Sequence, residues 1–155
     1  MGFERTLRAA QGYLELEMPS EALEEMNSLP PEYLVRPDVL RLRVCIALQA
    51  SEWNCGLELS RQLCNIDPRG TIGFIHAAYC LHELGRTAEA KQTLLDGPQT
   101  LLLEATYYYN MGCYHARLGE IEDAQVYVER AFEMDPAFRE NAQHDPDLEN
   151  LRCFI

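Results

Sequence analysis

The 155-residue chain has little positive charge: a single lysine, Lys91, and 13 basic residues in all against 25 acidic ones. A formal net charge of -12 repels phosphate backbones unless basic side chains gather on one face. The arginines are instead scattered from Arg5 to Arg152, so nucleic acid is not an expected ligand. Long apolar runs are also missing, and nothing approaches the roughly 20 residues that a membrane-spanning helix needs. The opening MGFERTLRAA places Glu4, Arg5 and Arg8 where a signal peptide needs an unbroken apolar core, and a cytoplasmic protein is expected. MGFERT fits the loose pattern for N-myristoylation, one that arises easily by chance.

The six cysteines, Cys45, Cys55, Cys64, Cys80, Cys113 and Cys153, lack the C-x2-C spacing of structural zinc sites. Cys45 and Cys113 are too far apart in the repeat frame described below to be bridged. Reduced, mostly buried thiols are therefore expected, with no disulfide framework, no metal and no cofactor. The 47% hydrophobic and 25% charged composition is that of one ordinary globular domain.

What the sequence does contain is a period. Steps of 34 residues back from Ala124 give Ala90, Gly56 and Ala22, each small and early in a helical segment. The same step links Gly112 to Ala78, Val44 and Ala10, Tyr108 to Phe74 and Leu40, Gly119 to Gly85, and Pro136 to Leu102 and Pro68. Small residues at such positions let paired antiparallel helices approach closely while larger neighbours fill the gaps.

These positions carry the marker residues of the 34-residue tetratricopeptide signature, and the chain resembles that family along nearly its whole length. In the best copy Tyr108, Met111, Gly112, His115, Ala124, Val128, Ala131 and Pro136 fill the large, small and proline positions. The copy ending at Pro68 is weaker, with Arg43 and Ser60 where the family has apolar residues. The first keeps chiefly Ala10, Tyr13, Ala22 and Met26. The resemblance, to small bacterial proteins of the family, implies an all-α, right-handed superhelical solenoid of about four helix pairs. The repeats would be about 3–36, 37–70, 71–104 and 105–138, followed by a capping helix at about 145–153.

Local signals agree. Gly85 and Gly119 suit left-handed helix ends, and Ser20 and Thr87 suit the caps of the helices that follow. Pro30-Pro31 and Gly97-Pro98 should shorten the second helices of the first and third pairs. Asp145 and Pro146 are expected to start the last helix, which would cover the fourth pair as solenoids require.

Cys113 and His115 invite a metal or nucleophile reading, but two residues apart on a helix they point about 200° from one another. His115 is expected to pack inside its helix pair. His76, His82 and His144 show no nucleophile at helical spacing, so packing or binding is expected of His76 and His82, and His144 is placed in an exposed linker. In the run Tyr107-Tyr108-Tyr109, Tyr108 should be buried and Tyr109 should face the concave side.

The family resemblance places the functional surface in the concave groove lined by the first helix of each repeat. The inward positions are Leu7, Gln11 and Leu14, then Arg41, Cys45 and Leu48, then Ile75, Tyr79 and His82, and last Tyr109, Cys113 and Ala116. This set suits an extended peptide or an amphipathic helix of a partner protein. Family members that clamp a chaperone's C-terminal carboxylate use lysine and asparagine there, and here only Arg41 is of that kind. A non-enzymatic protein-interaction module is the expectation. The alternatives are a dedicated chaperone like those of type III secretion and, in another class, a small metal-dependent enzyme or regulator using Cys and His.

Overall fold

The computed structural model describes residues 2–155, so Met1 of the myristoylation pattern lies outside the described residues. Gly2–Glu15 (α1) and Pro19–Asn27 (α2) form the first helix pair, and Pro37–Gln49 (α3) and Trp53–Ile66 (α4) the second. Ile72–Glu83 (α5) and Thr87–Leu95 (α6) form the third, and Ala105–Arg117 (α7) and Ile121–Met134 (α8) the fourth. Among the described residues there is no strand. Each helix packs on its partner, and α1, α3, α5 and α7 also pack on one another in succession, which makes the chain an all-α solenoid of helical repeats.

The periodic small residues are what let the pairs close. Ala22, Ala90 and Ala124 are completely buried. A β-carbon added at Gly56 would come within 2.9 Å of Cys80 Sγ and 3.0 Å of Leu48 Cδ1, so the helices there are already in contact. At Gly112 it would run into the side chain of Val128 on α8.

The turns within the pairs repeat as well. Glu17 and Ser51 both have φ of 57°, and Gly85 and Gly119 have φ of 80° and 79°. At each turn a second backbone link closes the helix end: the N–H groups of Met18, Glu52 and Arg86 donate at 2.8 Å to the carbonyls of Tyr13, Ala47 and Leu81. Glu120 donates to His115 in the same way at 2.9 Å. This is the helix-ending motif with a left-handed residue just past the last turn. Its tightness corrects the capping expectation, because the residue after the left-handed position already serves as the N-cap of the next helix. Met18 and Arg86 hold those places, without a capping side-chain hydrogen bond, while Ser20 and Thr87 lie inside their helices.

As the prolines imply, α2 and α6 have 9 residues each where α4 and α8 have 14. Short 3-10 turns at Pro31–Tyr33 and Gln99–Leu103 fill the difference. The two polar residues of the weaker second pair are accommodated differently. Arg43 turns outward to donate to the Leu34 carbonyl at 3.1 Å, whereas Ser60 is fully buried and its hydroxyl has no partner.

The core falls into separate clusters. Val39, Leu42 and Ile46 of α3 pack with Ala10, Ala22, Met26 and Leu29, whereas Leu40, Val44 and Ala47 on the same helix pack with Leu59 and Leu63. The third and fourth pairs share one larger cluster. After α8 come a short helix, Ala137–Ala142 (α9), and a 3-10 helix, Pro146–Leu151. Asp145 caps the latter, its Oδ1 accepting the Asp147 N–H at 3.0 Å. This element is tighter and shorter than the expected terminal helix. Its Leu148 and Leu151 are fully buried, and it lies on α7 as well as α8.

Candidate functional site

The first helices, α1, α3, α5 and α7, present the twelve positions expected to line a groove, and the structure divides them into two groups. In the first, Gln11 and Cys45 are exposed, Tyr79 is 38% exposed, and Leu7, Leu14, Arg41, Leu48, Ile75 and His82 are half-buried. Gln49 ties α3 to α1, its Nε2 donating to the Leu14 carbonyl at 2.9 Å. Arg41 lines a cleft of about 210 Å³ with Leu63, Asp67 and residues 70–73 at the start of α5.

The second group corrects the expectation. Tyr109, Cys113 and Ala116 are buried, because the segment after α8 folds back over them. The Tyr109 ring stacks on Phe138, with centroids 4.6 Å apart, and its hydroxyl donates to Asp145 Oδ2 at 2.7 Å. The Cys113 thiol lies 3.8 Å from the same oxygen, and Asn150 Nδ2 donates to the Ala116 carbonyl at 3.2 Å. His82, at the edge of this segment, bridges Thr87 Oγ1 at 2.8 Å and Asp147 Oδ2 at 2.9 Å. Arg117 approaches Asp147 at 3.6 Å. Within the tyrosine run, Tyr107 is buried, and burial pushes its phenol up to about 12. Tyr108, expected to be buried, is half-exposed and donates to the Leu102 carbonyl at 3.0 Å.

The histidine expected inside its pair is there. His115 is 8% exposed, its ring stacked on Tyr127 and its Nδ1 3.2 Å from Glu120 Oε1, which also takes Lys91 at 2.9 Å. The thiols are all free, but they are less buried than expected: Cys45, Cys55 and Cys153 are exposed, Cys64 is half-buried, and only Cys80 and Cys113 are buried.

Two groups bring potential metal-ligand atoms within 4.8 Å of one another: Cys113, Asp145 and Asp147, and His115, Glu120 and Asp123. In the first, Tyr109 and Cys113 converge on Asp145 Oδ2, and in the second His115 and Lys91 converge on Glu120 Oε1. Burial, and then the Asp145 and Asp147 charges, hold the Cys113 thiol well above its ordinary range, which suits its approach to Asp145 as a proton donor. Glu120 is held below the usual carboxylate range chiefly by its hydrogen bond from Lys91.

Trp53, Glu83, Asp145 and Asp147 belong to this surface although the periodic pattern does not single them out. Trp53 meets Tyr79 edge to face, with ring centroids 5.8 Å apart. Glu83 follows Tyr79 by one helical turn on the same face of α5 and is exposed.

Tightly paired helices whose first members pack in succession define a scaffold of helical repeats. Residues 105–138, which hold the fourth helix pair, match the tetratricopeptide repeat family model. No curated protein matches the chain. No described helix is long and apolar enough to cross a membrane.

Proposed function

We propose that the chain is a non-enzymatic protein-interaction module that holds a segment of a partner protein along the uncovered part of the row formed by α1, α3 and α5. The observation that carries this reading is the contrast between the two groups. Tyr109, Cys113 and Ala116 are sealed by the chain's own C-terminal segment, while Gln11, Cys45 and Tyr79 on the preceding first helices remain exposed beside half-buried Leu48 and Ile75. Apolar side chains flanked by a few polar ones suit a peptide or helix laid across them, with a small number of large residues supplying most of the affinity.

The test is capture of partners from native lysate with mass spectrometry, followed by calorimetry on variants. Leu48→Ala and Tyr79→Ala should each weaken the captured partner by about 1–4 kcal/mol. Glu129→Arg, on the exposed face of α8, should leave it unchanged. A partner lost on Glu129→Arg and retained by both row variants would move the interface elsewhere. Capture of one exported, aggregation-prone client would narrow the module to a dedicated chaperone.

A further inference from the structure

Where the open row meets the folded-back segment, aromatic rings lie near three carboxylates, of which Glu83 alone has no ion-pair or hydrogen-bond partner among the described residues. Tyr79 is 38% exposed and meets Trp53 edge to face at 5.8 Å. Glu83, one turn further along α5, is exposed and makes no ion pair among the described residues. Asp145 and Asp147 are near enough that, after burial and together with Glu83, they help to push the Tyr79 phenol up. The nearby cations are engaged. Arg86 is closed on Glu89 at 2.6 Å and Arg117 leans on Asp147 at 3.6 Å.

A second observation points to the same place. Tyr114 is 2% exposed, and its buried hydroxyl has no hydrogen-bond partner. Its ring lies 5.0 Å from that of His82, and burial first, with Cys113, Asp147, Tyr79 and Glu83 adding to it, holds its phenol well above the ordinary range. A buried hydroxyl left unpaired is costly, and this one belongs to a ring packed on His82, the residue that Asp147 holds.

We infer that Tyr79, Trp53 and Glu83 form a cation subsite that takes an arginine side chain from the partner segment. This rests on the interaction reading above and names the chemistry of the segment that it binds. A guanidinium is planar, stacks on an exposed aromatic face, and offers paired N–H donors that match a free carboxylate such as Glu83. Asp145 and Asp147 add a negative field behind it, and the net charge of -12 steers cations toward the protein as a whole. An acidic partner residue would meet Glu83, Asp145 and Asp147 and be rejected.

The chain reports on this site directly, because Trp53 is its only tryptophan. The full chain is titrated with N-acetylarginine amide and with the neutral isostere N-acetylcitrulline amide while Trp53 emission is followed. The inference expects a saturable change with arginine and an arginine-over-citrulline preference of about tenfold, the size of one charge-assisted aromatic contact. Glu83→Gln, an exposed isosteric change, should reduce the preference to about twofold or less. Equal responses to the two amides, no response to arginine, or a preference untouched by Glu83→Gln would each overturn the subsite. Such a failure is distinct from failure of the interaction reading, which the Leu48→Ala and Tyr79→Ala capture experiment decides with natural partners whatever their charge.

Discussion

Tyr109 on α7 and Asp145, 36 residues further along, are joined by a 2.7 Å hydrogen bond that turns a position of groove register into a position of the core. Burial, with the Asp145 hydrogen bond next, holds the Tyr109 phenol well above its ordinary range, so at any physiological pH it remains the donor. Tyr109→Ala should therefore cost about 3–5 kcal/mol of stability, as deletion of a buried ring does. Tyr109→Phe, which removes only the hydroxyl, should cost about 1–2 kcal/mol. Urea denaturation midpoints check both. A near-normal midpoint for Tyr109→Ala would mean that the C-terminal segment does not cover α7 in solution.

The four left-handed turn residues give a prediction of opposite sign at equivalent positions. Glu17 and Ser51 carry side chains at φ of 57°, where a non-glycine residue is strained, while Gly85 and Gly119 are not. Glu17→Gly and Ser51→Gly should each raise stability by up to about 1 kcal/mol, and Gly85→Ala should lower it by a similar amount or more. Thermal melts of the three variants decide, and destabilisation by both glycine substitutions would refute the shared turn geometry.

Overpacking tests the helix crossings. Ala90 and Ala124 have no exposed surface, so Ala90→Leu or Ala124→Leu should cost about 1–3 kcal/mol by forcing the paired helices apart. Val126→Leu, at a position 67% exposed on α8, should change the denaturation midpoint very little.

His76 supplies the pH dependence. Burial holds its imidazole below the ordinary 6.5, and its Nδ1 is buried with no partner, so it folds in the neutral form. The unfolded chain takes up a proton there before the folded chain does. Its contribution is therefore fully present above pH 6.5 and is lost as the pH falls from there through the lower, folded-state value. Urea midpoints at pH 7.5 and 5.5 should converge in His76→Leu relative to the wild type. An unchanged difference would assign the slope to other groups.

The thiols should react in a definite order. Cys55 and Cys153 are exposed and should alkylate first, followed by Cys45, whose surroundings push its thiol up, and Cys64, pushed up to about 11 by burial. Cys80 and Cys113 should react only on unfolding. Mass spectrometry during iodoacetamide labelling reads the sequence of events, and early modification of Cys113 would place the C-terminal segment off α7.

The helix pairs were legible because their cause is periodic. One small residue per crossing, as at Ala22, Gly56, Ala90 and Ala124, and one turn per pair leave a spaced imprint on the chain. The fate of the last first helix was not legible, because what covers it lies outside the period. Residues 137–151 contain no copy of the repeat to say whether they continue the stack or fold onto α7, and that choice decides whether Tyr109 is surface or core. Trp53 was missed for a related reason. It begins α4, on a second helix, so a register confined to first helices passes over it even though its ring reaches Tyr79. The misplacement of Ser20 and Thr87 as caps came from assuming a looser turn than the left-handed residues permit.

The partition of α3 bears on how the protein is made. One side of this helix closes the cluster of the first pair through Val39, Leu42 and Ile46, and the other opens the cluster of the second through Leu40, Val44 and Ala47. During synthesis, the nascent chain therefore has a complete apolar unit as soon as residue Gln49 has cleared the ribosome, before any of α4 is available. Each later helix adds to a template already standing. Only the segment after α8 reaches back against the direction of synthesis, laying Leu148 and Leu151 onto α7 and α8, helices made before it.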